Sequence, residues 1–71
     1  MNAHYDPDAD ALYFEIIEKD VYKTKKIDEN TLLDYDEKGN VIGVELLFVK
    51  ERMPEFLENI KQENISIAQP K

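Results

Sequence analysis

The sequence predicts an α+β fold: a four-stranded antiparallel β-meander with one C-terminal amphipathic α-helix packed on one sheet face. Three observations lead there. Apolar side chains between residues 11 and 49 recur with a period of two, the segments carrying them are joined by connections too short for a parallel crossover, and beyond residue 52 the period lengthens to that of a helix.

Residues 1–10 read as an N-terminal turn. Asp6-Pro7 starts it, and the short carboxylates of Asp6, Asp8 and Asp10 can accept hydrogen bonds from nearby backbone N–H groups. Residues 11–18 (ALYFEIIE) form the first expected strand, with Leu12, Phe14 and Ile16 on one face and Tyr13, Glu15 and Ile17 on the other. Residues 21–28 (VYKTKKID) form a more polar second, and 31–36 (TLLDYD) a third in which Leu33 and Tyr35 share a face. Residues 41–49 (VIGVELLFV) are nearly all apolar; Glu45 marks the outward row and leaves Ile42, Val44, Leu46 and Phe48 for the core.

Turn chemistry sets the expected register. Gly39 supplies the positive φ that a loop over 37–40 requires. A Glu29-Asn30 turn sets Asp28 against Thr31, so that Lys25 faces Asp34 and Lys23 faces Asp36, and a connection over 19–21 sets Glu15 against Lys25. The result is a structural ion-pair row of Glu15, Lys23, Lys25, Asp34 and Asp36, whose value lies in holding register, because a one-residue slip turns every side chain over. In residues 52–63, Met53, Phe56, Leu57 and Ile60 fall at i, i+3, i+4 and i+7, with Pro54 in the first turn, where its missing N–H costs little. Residues 64–71 read as a mobile tail, with Asn64 as a helix cap and 65–67 adding briefly to a sheet edge.

With 71 residues the chain is one small domain, 1–71. At this size the gain from burying apolar surface nearly cancels the cost of ordering the chain, and there is no cysteine to staple the fold, so self-association is expected to help. Sixteen acidic residues against nine basic ones give a net charge of -7, the wrong sign for a phosphate backbone. No run approaches the about 18 to 20 apolar residues of a membrane span, and residues 1–6 lack the basic and apolar regions of an export leader, which together predict a cytoplasmic protein.

Several chemical readings compete. Asp6, Asp8 and Asp10 have the spacing of the first calcium-loop ligands, but Ala11 and Ile17 stand where a glycine and a bidentate glutamate belong, so the turn is preferred to a divalent-metal site. Asp34, Asp36 and Glu45 share the outer face in the expected register, a pattern that hydrolysis could use, yet Lys23 and Lys25 explain the aspartates more simply. His4 and Ser66, the one histidine and the one serine, stand near opposite ends, which disfavours a catalytic triad. Lys19, Lys23, Lys25 and Lys26 with Tyr22 could form a nucleic-acid stripe; lysines that guard a strand edge and answer neighbouring acids are the simpler reading. What remains is an apolar excess away from the helix, Tyr13, Ile17, Ile27, Leu32, Val41, Leu47 and Val49, which predicts an interface and a homodimer. No enzymatic activity, cofactor, nucleic acid or membrane partner is expected.

The stretch from Tyr5-Asp6-Pro7-Asp8-Ala9-Asp10 to Ala11-Leu12-Tyr13, followed by Leu33-Asp34-Tyr35-Asp36 and by Gly39-Asn40-Val41-Ile42-Gly43-Val44-Glu45-Leu46, resembles the small prokaryotic family known as domain of unknown function 2283. The resemblance spans roughly residues 5–47 and brings no established activity, cofactor or catalytic residue. Some relatives look like partners of small toxin-like proteins encoded beside them, which implies an antitoxin-like role. A small acidic chain masking a small basic partner is compatible with the charge here. The shared motifs read as scaffold, with Gly43 facing Asp34 across the sheet.

Overall fold

The computed structural model describes residues 2–62 and 66–67. The sheet has five antiparallel strands where four were expected: β1 (Asn2–Asp6), β2 (Ala11–Glu15), β3 (Lys23–Asp28), β4 (Thr31–Tyr35) and β5 (Val41–Leu47). A two-residue segment, β6 (Ser66–Ile67), lies parallel to β1, and the order across the sheet is β3-β4-β5-β2-β1-β6. Two helices follow β5: α1 (Val49–Arg52) and α2 (Pro54–Gln62). Residues 63–65 and 68–71, and with them the expected helix cap and most of the tail, lie outside the described residues.

The additional strand is β1. It carries only two apolar side chains, Ala3 and Tyr5, but they alternate with polar neighbours and both are buried. The expected turn over 1–10 therefore contracts to the residues between β1 and β2, where Asp6 Oδ1 accepts the N–H groups of Asp8 at 3.0 Å and Ala9 at 3.4 Å.

The meander expectation is corrected as well. β2 pairs with β1 on one side and β5 on the other, and does not pair with β3. Its strand ends at Glu15, because the N–H groups of both Ile16 and Ile17 turn onto the single carbonyl of Ile42, at 2.9 and 3.2 Å. The chain then runs to β3, and Tyr22 donates its N–H to the Tyr35 carbonyl at 2.8 Å.

Within β3-β4-β5 the local turns are as expected and the register is not. Asp28 sits opposite Thr31, and Leu33 opposite Val44. A bulge between Lys26 and Asp28 then shifts β3 by one residue, so Lys25 faces Leu33, Thr24 faces Asp34 and Lys23 faces Tyr35. A second bulge places Tyr35 opposite Val41 instead of Ile42.

The strand expected over 41–49 stops at Leu47. Phe48 adopts a left-handed conformation, φ 58°, that turns the chain into α1. The first N–H groups of that turn reach back to Asp10: Val49 donates to its carbonyl at 3.2 Å and Lys50 to its Oδ1 at 2.8 Å. α2 begins at Pro54, two residues later than expected, after a break at Met53.

The core is a cluster of Tyr5, Leu12, Val49 and Leu57, against which Phe14, Leu46 and Ile60 pack. Leu12, Phe14, Leu46, Leu57 and Ile60 were expected there. Ile16, Phe48 and Phe56 were too, but they are 41%, 46% and 40% exposed, since Ile16 has left the strand, Phe48 has flipped and Phe56 lies on the outer side of α2. No residue of β3 or β4 belongs to the cluster, so the helix covers only the β1-β2-β5 part of one sheet face. No helix among the described residues is long and apolar enough to cross a membrane.

Candidate functional site

Pairing across the sheet defines the face opposite α2. One row runs Asn2, Glu15, Gly43, Asp34, Thr24, and the next His4, Tyr13, Glu45, Leu32, Lys26, followed by Asp6, Ala11 and Leu47. No helix lies over these rows among the described residues, and they carry four carboxylates against one lysine and one histidine.

The centre of the face is a hydrogen-bonded unit. The Tyr13 ring leans diagonally across Gly43, and its hydroxyl donates to Asp34 Oδ2 at 2.9 Å; Thr24 Oγ1 donates to Asp34 Oδ1 at 2.6 Å. Gly43 leaves the space this requires: any Cβ there would collide with the Tyr13 hydroxyl and the ring carbon bearing it. Burial, then the hydrogen bond to Asp34 and the charges of Asp34, Glu15 and Glu45, pushes the Tyr13 phenol up to about 12. Asp34 thus has a donor on each oxygen and Tyr13 keeps its proton, an arrangement suited to holding shape. At the edge of the same row, Asn2 Nδ2 donates to Glu15 at 3.3 Å.

Asp36 lies elsewhere. It is buried in the β4–β5 turn, where its carboxylate accepts the N–H groups of Lys38 and Asn40, each at 2.9 Å, the Asn40 side-chain amide at 3.2 Å and Lys19 Nζ at 2.9 Å. The Lys19 ammonium, helped by these amides, holds its carboxyl well below the usual carboxylate range. Gly39 closes the turn with φ 87°, as expected.

Asp10 joins the β1–β2 turn to α1. Besides the Lys50 N–H, its Oδ1 accepts the Tyr5 hydroxyl at 2.7 Å. Burial acts to raise its pKa, but the N–H groups of Lys50 and Glu51 and the Tyr5 hydroxyl outweigh it and the net shift is downward. Tyr5, by burial first and then by this hydrogen bond, is pushed up to about 12.

These contacts replace the expected ion-pair row. Glu15, Lys23, Lys25, Asp34 and Asp36 do not form one: β2 is not beside β3, Lys25 and Asp34 stand on opposite faces because of the bulge at Ile27, and Asp36 is taken by Lys19. Of the expected interface, Tyr13, Leu32 and Leu47 share the bare face and are half-buried. Val49 leaves it altogether, being fully buried in the core; Val41 is in register with Tyr35, Ile17 lies in the bend after β2, and Ile27 is the bulged residue of β3. Among the described residues, no three His, Asp or Glu side chains are placed to hold a metal ion, Asp6, Asp8 and Asp10 included. The pairs Lys19 with Asp36 and Tyr13 with Asp34 were not foreseen; a glycine inside an otherwise apolar strand was the available signal for the second.

The family described as "protein of unknown function (DUF2283)" matches residues 2–50. The chain belongs to that family. The DUF2283 match takes in all five antiparallel strands, the Tyr13, Gly43 and Asp34 unit, the Asp36 turn and the Asp10 junction, and ends within α1; α2 lies beyond it. No curated protein and no solved structure matches the chain.

Proposed function

We propose that this DUF2283 chain is a non-enzymatic protein-interaction module of the cytoplasm that binds a small basic protein across the face opposite α2, in the manner of an antitoxin masking its toxin. The observation that carries the reading is the composition of that face: Glu15, Asp34, Glu45 and Asp6 surround half-buried Tyr13, Leu32 and Leu47, with no helix over them among the described residues. Charge complementarity of this kind steers association and rejects acidic competitors. The carboxylates support a binding role over hydrolysis, since Asp36 stays ionised and cannot donate a proton, and both oxygens of Asp34 are occupied. Affinity capture from the native organism tests it. A stoichiometric basic companion held by the wild type and lost by Glu45→Lys is expected; a companion retained by both Glu45→Lys and Leu47→Asp overturns the assignment of this face.

A second reading, a homodimer through the same face, is favoured by the thinness of the core, whose fully buried large side chains are Leu12, Ile42 and Val49. Light scattering decides it. A concentration-dependent dimer abolished by Leu32→Asp supports it, and a monomer at all concentrations removes it.

A further inference from the structure

On the helix side of the sheet, α2 stops short of β3 and β4 and leaves a groove of 320 Å³ lined by Tyr22, Lys23, Lys25, Tyr35, Glu37 and neighbouring turn residues. We propose that this groove binds a nucleoside phosphate, with a tyrosine ring against the base and Lys23 and Lys25 on the phosphate. The site is separate from the acidic face and does not depend on the partner reading above.

The register makes the case. Lys23 and Lys25 are paired with Tyr35 and Leu33, which puts both lysines on the same face as the Tyr35 ring. They do not answer Asp36 and Asp34 as expected from the sequence, and neither forms an ion pair among the described residues. Asp36, at the rim, is already neutralised by Lys19, leaving Glu37 as the one unanswered acid of the lining. Tyr22 is 71% exposed beside this cationic floor, a large aromatic surface that the fold itself does not use. Aromatic faces with ammonium groups at one end are what base stacking and phosphate neutralisation require, and they accept any base because every base has a π-face. The volume is at the lower end of small-molecule sites, about 300 Å³ and upward, which fits one nucleotide unit. The net charge of -7 opposes an anion at long range, but charges beyond a Debye length of about 8 Å are screened at physiological salt, and the local lysines decide.

The same chemistry is offered by a free nucleotide and by a unit of a single strand. The full chain is titrated at about 150 mM salt with AMP, followed by shifts of its tyrosine ring resonances, and with a fluorescein-labelled short oligoadenylate, followed by anisotropy. Binding is expected to weaken at least about tenfold in Lys23→Ala/Lys25→Ala and in Tyr22→Ala. Tyr22→Phe, which keeps the ring, should bind as wild type does. Lys26→Ala is the control, because Lys26 is in register with Leu32 on the opposite face; it should leave binding unchanged. Comparable binding of AMP identifies the free nucleotide as the ligand, and binding of the oligonucleotide alone identifies a strand. Failure of both to bind overturns the proposal, as does a loss in Lys26→Ala equal to that in the double variant, which would mark diffuse attraction to the strand edge. The substituted positions are exposed, and Lys25→Gln repeats the measurement if any variant melts early.

Discussion

Four donors converge on the carboxylate of Asp36, two backbone amides, a side-chain amide and the Lys19 ammonium, and a single titration therefore controls both the β4–β5 turn and the segment after β2. The pKa values of Asp36, Asp10 and Asp28 all lie below the ordinary 3.8. A lowered folded-state pKa adds stability that is complete above the unfolded value and is lost as pH falls through the folded one. Stability followed by circular dichroism should accordingly be level down to about pH 4 and decline below it. Asp36→Asn should be less stable at neutral pH and show a shallower acid decline; an unchanged acid limb would remove Asp36 from this role. Gly43 is the other decisive residue. Gly43→Ala must displace the Tyr13 ring and break its bond to Asp34, at a cost of about 1–3 kcal/mol in denaturant melts. In a Tyr13→Ala background the same substitution should cost well under half as much, the coupling expected of residues in contact.

The elements that could be read from the sequence are those specified by neighbours along the chain. Gly39 in its loop, the Glu29-Asn30 turn with Asp28 against Thr31, Leu33 against Val44, Gly43 opposite Asp34 and Pro54 at the start of a helix all rest on local chemistry. β1 was missed because two apolar residues in five, one of them alanine, make a faint alternation. The partner of β2 was misassigned because nothing local distinguishes a strand met by a hairpin from one met through a longer connection, and bulges at Ile27 and before Tyr35 moved each counted register by one. The candidate site suffered most from that single-residue shift, since it exchanged Lys25 for Thr24 as the neighbour of Asp34. The helix gives a sharper contrast. Leu57, buried against Tyr5, Leu12 and Val49, should cost about 2–4 kcal/mol when cut to alanine, while Phe56, on the outer side, should cost less than about 1 kcal/mol. Equal losses in thermal melts would mean that α2 is docked by a different face.

For the whole molecule, sixteen acids against nine bases leave a net charge of -7, and Lys19 with Asp36 forms a salt bridge among the described residues. Repulsion among the remaining acids outweighs pairing, so raising salt from about 10 mM to about 150 mM should raise the melting temperature by shortening the Debye length from about 30 to about 8 Å. A fall in melting temperature over that range would point to more attractive pairs than the fold displays. The sheet also divides into two pieces that neighbouring turns can assemble alone, the β1–β2 hairpin and the β3-β4-β5 meander, joined where β2 lies along β5. Residues in that seam are far apart in sequence, and closing the chain around them is the entropically expensive event. The seam is thus the expected folding nucleus: in stopped-flow kinetics, trimming Phe14 or Val44 should slow refolding, whereas trimming Ile27 at the sheet edge should mainly hasten unfolding, and the reverse pattern would place the barrier elsewhere. The pairing that joins the halves would then set how long a newly made chain spends with its strand edges open.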